Sequence, residues 1–132
     1  MQSKYQFFTD YELSCHCGNC GLGPESMDVD FMDKATLMRK TFDFPFIISS
    51  SIRCESHNIR VSGSSSSAHL VGRAFDILIY GSRAHKIVSN AEAFGIYGLG
   101  ISQHGPVNKR IIHIDDITPE ENHLRPRVFS YP

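Results

Sequence analysis

Three side chains in this sequence combine the chemistry of metal ligands with a spacing that lets them meet: His69, Asp76 and His113. The first two lie in Ser67-Ala68-His69-Leu70-Val71-Gly72-Arg73-Ala74-Phe75-Asp76, the third in Arg110-Ile111-Ile112-His113-Ile114-Asp115. Positions 69 and 76 are an odd number of residues apart, so in one continuous strand they would face opposite ways. Gly72 lets the chain bend between them, after which Asp76 lies on the face opposite Phe75 and Ile77. His113 shares a strand face with Asp115, while Ile112 and Ile114 take the other. Two strands can therefore aim two imidazoles and a carboxylate at one place and leave a fourth position for water, as catalytic zinc sites do. Zn2+ held there would bring the pKa of that water to about 7 and polarise a carbonyl, which is the chemistry of hydrolysis at neutral pH. The plainer alternative is a buried histidine and a strand aspartate bonded to a loop, since no HExxH helix is present.

The elements that must carry these residues follow from periodicity. Met27, Phe31, Ala35, Met38 and Phe42 recur at steps of three and four, which predicts an amphipathic helix from Glu25 to Phe42 with Ser26 as N-cap. Phe46 to Ser50 reads as a short buried strand. Cys54 to Ala68, with its Gly63-Ser64-Ser65-Ser66-Ser67 run, has little periodicity and reads as a substrate-side loop. Arg73 to Tyr80 alternates as a strand, and Ser82 to Phe94 has helical spacing, capped by Ser82 and stopped by Gly95. Tyr97 to Ser102 and Arg110 to Asp115 are two strands joined closely enough to pair antiparallel. Thr118-Pro119-Glu120-Glu121 looks like a helix start cut short by Pro126. Beyond it the tail Arg127 to Pro132 is expected to be ordered, anchored by Phe129 and Tyr131. Helices and strands do not alternate regularly, so the expected class is α+β: a small, mainly antiparallel sheet flanked by helices.

With 132 residues the chain can bury one core, and a single domain over 1–132 is expected. A net charge of -1 offers no electrostatic footprint for nucleic acid, so partners must be argued from the site. No apolar run approaches the roughly 20 residues of a membrane span, which argues against membrane insertion. Met1 to Phe8 lack the long apolar segment of a secretion signal; synthesis in the cytoplasm, and a monomer, are expected. Cys15, Cys17 and Cys20 sit inside six residues, with Cys54 far downstream. Three readings stand: a structural zinc held by four thiolates or by three and His16, a disulfide from Cys54 to the cluster, or reduced thiols in a tight turn.

The pattern Ser67-x-His69-x-x-Gly72-x-Ala74-x-Asp76, preceded by Ser50-x-x-Arg53 and followed by His113, resembles the zinc D-Ala-D-Ala carboxypeptidase family of VanY-type and phage peptidoglycan peptidases. Asp10-Tyr11-Glu12-Leu13-x-Cys15, Ile48 to Asn58, and Gly98-Leu99-Gly100-Ile101 before Ile112-His113-Ile114-Asp115 are similar to the family in the same order. The resemblance implies a hedgehog-like metallopeptidase fold with Zn2+ on His69, Asp76 and His113, and peptidoglycan peptides as substrate. It also implies that Arg53 and Ser67 hold the substrate, Arg53 through a planar fork suited to a carboxylate or an oxyanion. The chain departs from the family where many members have an acidic general base three residues before the last histidine; here stands Arg110. Asp115 is the first replacement and His104 the second, with Asp115 alternatively an acceptor that orients His113. A phage lysin acting on the host wall, cutting as a carboxypeptidase or an endopeptidase, is one expectation; a non-catalytic zinc module, for example of a viral particle, is the other.

Overall fold

A computed structural model describes all of residues 1–132. Its sheet has five strands, β1 (Ile47–Ser50), β2 (Ala74–Leu78), β3 (Gly98–Ser102), β4 (Ile111–Asp115) and β5 (Arg127–Ser130). They lie in the order β1-β2-β4-β3-β5. All neighbours are antiparallel except β3 and β5, which run parallel. Three helices, α1 (Val29–Phe42), α2 (Glu55–Arg60) and α3 (Gly81–Asn90), complete an α+β domain. None is long and apolar enough to cross a membrane.

Strand alternation divides the sheet into two faces with different work. Phe75, Ile77, Ile112 and Ile114 point to one side and are buried with Phe31, Met38 and Phe8 in a core of 22 residues. Phe75 is gripped by Phe31 and Phe8, at ring-centroid distances of 5.0 and 5.1 Å. On the opposite face one cross-strand row runs Ser50, Asp76, His113, Gly100, Phe129. A bulge at Ser49 brings Ser50 level with Asp76.

Several local expectations need correction. α1 begins at Val29 and is capped by Asp28, whose carboxylate accepts from the Phe31 amide at 2.9 Å; Ser26 belongs to a preceding single 3-10 turn. α3 starts at Gly81 without a side-chain cap, so Ser82 lies inside the helix. The supposed loop from Cys54 to Ala68 contains α2, capped by Cys54. The tail forms a strand, whereas the sequence promised only an ordered segment. Thr118 and Glu121 do bond reciprocally, but as a turn, as the nearby proline required.

Candidate metal centre

His69 is delivered by a 3-10 turn, Ala68–Val71, whose cap Ser67 accepts from the His69 amide at 3.2 Å. The turn ends at Gly72, with φ of 68°, and a Cβ there would lie 2.4 Å from the Ser26 carbonyl oxygen. Only glycine combines that left-handed backbone with so close an approach. Two residues later β2 begins and presents Asp76 beside His113 of β4. The bend expected at Gly72 therefore exists and brings the two ligand types together.

The three side chains are buried and converge on one point. Asp76 Oδ1 is 3.2 Å from His69 Nε2 and 3.0 Å from His113 Nδ1. The remaining ring nitrogens are occupied: His69 Nδ1 donates to the Ser51 carbonyl at 2.6 Å, and His113 Nε2 donates to Asp115 Oδ2 at 2.8 Å. Those outer bonds fix each ring's tautomer, leaving the lone pairs of His69 Nε2 and His113 Nδ1 aimed at the carboxylate. Acceptors facing one another in this way call for a cation, and the donor set of two imidazoles and a carboxylate fits a divalent one.

The electrostatics agree. Burial pushes the His69 pKa down despite the opposing pull of Asp76. At His113 the same burial is outweighed by hydrogen bonds to Asp115 and Asp76, which hold its pKa up. Asp76 is desolvated too, yet the two imidazoles hold its carboxyl well below the usual range.

A protein-family model described as Peptidase M15 matches residues 6–115. The chain belongs to this family. No curated protein and no solved structure gives a significant match. The M15 match stops at the end of β4, so everything after Asp115 lies outside it.

Around this M15 centre, the other anticipated residues fall into distinct places. Arg53 lies alongside, its Nη2 3.5 Å from Asp76 Oδ2, its Nη1 donating to Asn58 Oδ1 at 2.9 Å and its Nε to Ser50 Oγ at 3.3 Å. Asn58 in turn donates to the Ser64 carbonyl, so Arg53 also staples the serine-rich segment. A depression beside it is lined by Leu22, Arg53, Asn58, Ile59 and Leu70. Asp115 is fully buried: Oδ1 accepts from Arg125 Nε at 3.1 Å and from the Ile117 amide, and Oδ2 accepts from Arg125 Nη2 at 2.9 Å and from His113. Burial would raise its pKa, but His113 and Arg125 bring it below the ordinary value. His104 is exposed after β3. Arg110 closes that same turn by donating to the Gly105 carbonyl.

Three contributors were not picked out as site residues from the sequence. Arg125 clamps Asp115 from outside the motif. Phe129 packs against His113 with the rings tilted by 57° and their centroids 5.3 Å apart, and Tyr131 stands edge-on to Phe129 at 5.5 Å. Tyr131 is half-buried; burial first, then the charges of Asp76 and Asp115, push its hydroxyl pKa well above the phenol range. Both aromatics read as tail anchors in the sequence, but nothing in their spacing says that β5, which carries Phe129 and ends one residue before Tyr131, lies along the site's row of the sheet.

Proposed function

We propose that this chain is a zinc-dependent peptidase that hydrolyses an amide bond in the stem or cross-link peptides of bacterial peptidoglycan. The observation that carries the reading is the convergence of His69 Nε2, Asp76 Oδ1 and His113 Nδ1, with both outer ring nitrogens already held, in a member of a peptidase family. Zn2+ bound by these atoms supplies an activated water and a Lewis acid for the scissile carbonyl.

The chain's own side chains do the rest. Arg53 receives the substrate beside the ligands, its guanidinium turning from Asp76 towards a peptide carboxylate or the developing oxyanion. Ser67 accepts from the His69 amide, which leaves its own O–H to donate to the peptide. Tyr131, kept protonated, offers a second O–H to the oxyanion. Asp115 orients His113, because each of its oxygens is already engaged. His104, exposed on the turn after β3 and free of hydrogen bonds to the protein, would be the group that takes up the proton when water attacks.

Arg110, in place of an acid, favours a second reading: a zinc-binding module of the same fold without turnover. One experiment separates them. Purified chain is incubated with murein sacculi, new amino groups are counted, and the released fragments are identified by mass. Zinc-dependent release that His69→Ala abolishes supports the peptidase; a folded, zinc-loaded chain that releases nothing leaves only the module.

A further inference from the structure

Away from the histidine site, Cys15, Cys17, Cys20 and Cys54 bring their four sulfur atoms within 4.8 Å of one another. Three come from one turn, the fourth from the N-cap of α2. Four thiolates around zinc at about 2.3 Å form a tetrahedron whose sulfurs stand about 3.8 Å apart. Cys54 Sγ and Cys17 Sγ are 3.8 Å apart. A disulfide needs about 2.05 Å and joins only two sulfurs; all four cysteines are free, and a pairwise bond gives no reason for the other two to be there.

The backbone is folded around the same point. The Cys54 amide donates to Cys15 Sγ at 3.4 Å, the His57 amide to Cys54 Sγ at 3.4 Å, and the Asn19 amide to Cys17 Sγ at 3.5 Å. Amides aimed at sulfur favour the thiolate over the thiol. Gly18 and Gly21, with φ of 79° and 78°, let the turn close. His16, the other available ligand, faces away: its ring stacks on Tyr11 at 4.5 Å and its Nε2 lies 3.1 Å from the Tyr11 carbonyl.

We infer that Cys15, Cys17, Cys20 and Cys54 form a second metal site, a closed tetrathiolate centre for zinc whose role is structural. Thiolates select such an ion by softness, and four protein ligands leave no position for water. Through Cys54 the centre ties the N-terminal segment to the residue next to Arg53, and so to the rim of the histidine site. This does not depend on the peptidase reading.

The test uses the full chain, prepared with zinc under reducing conditions, and counts metal per chain. Two zinc ions are expected in the wild type, one in His113→Ala and one in Cys20→Ser, where an exposed ligand is removed. Cobalt loaded into His113→Ala should give the intense near-ultraviolet charge-transfer absorption of thiolate ligands, and chelating the zinc from that variant should lower its melting temperature. On the wild type, four thiols should resist a thiol reagent until a chelator is added. The inference is overturned if His113→Ala binds no metal, if all four thiols react at once in zinc-loaded protein, or if the protein carries a disulfide among them.

Discussion

Asp115 has no oxygen to spare for a substrate. Two bonds from Arg125, one from the Ile117 amide and one from His113 account for its carboxylate. A group placed like this sets the direction and basicity of the imidazole it holds. Asp115→Ala should weaken zinc binding at the histidine site by about 10- to 100-fold, read by competition with a chromophoric chelator. Unchanged affinity together with lost turnover would instead make it the base. His104→Ala tests the complementary assignment: kcat should fall by about 10²-fold or more with zinc affinity unchanged. Full activity in that variant would send the proton elsewhere. Tyr131→Phe should likewise spare the metal and lower kcat, by about 10²-fold for one oxyanion donor; an unaltered kcat would confine Tyr131 to packing.

At the scale of elements, the turn that ends at Gly72 matters most. Its φ of 68° and the 2.4 Å gap to the Ser26 carbonyl both exclude a side chain. Gly72→Ala should cost at least about 1–2 kcal/mol from the left-handed backbone alone, with the displaced Ser26–Met27 segment adding to it. Urea unfolding measures the loss, and unaltered stability would show that the turn tolerates a side chain.

What could be read from sequence at this scale follows from what holds each element. α1, β2 and β4 bury apolar stripes, and their periodicity announced them. α2 buries Asn58 while Ile59 and Val61 stay exposed; its anchors are the Cys54 cap and polar bonds to Arg53 and Ser64, which leave no hydrophobic period. β5 is largely exposed and joins in parallel, so no hairpin signal marked it. For the site, Asp76 and His113 could be placed side by side because strand alternation fixes which side chains share a face, whereas His69 reaches them from a 3-10 turn closed by Gly72 and not from a strand. Arg125 could not be placed, since its partner Asp115 is met only through the folded tail.

Across the whole molecule, the sheet separates stability from chemistry. The 22-residue core lies against α1 on one face, and the ligands occupy the other. Stripping metal from the histidine site should therefore abolish turnover and leave most of the secondary structure in place, measured by far-ultraviolet circular dichroism on the same sample. Collapse of the fold on chelation in Cys20→Ser, which retains only that site, would show that the ion is structural after all.

On the proposed reading a metal ion sits between His69 Nε2, Asp76 Oδ1 and His113 Nδ1 with one position open. Zinc-edge anomalous diffraction from crystals of the zinc-loaded chain tests it directly. A peak bonded to those three atoms is expected, with solvent or peptide as the fourth ligand. Saturating zinc with no peak there, or a peak closed by a fourth protein side chain, would contradict it.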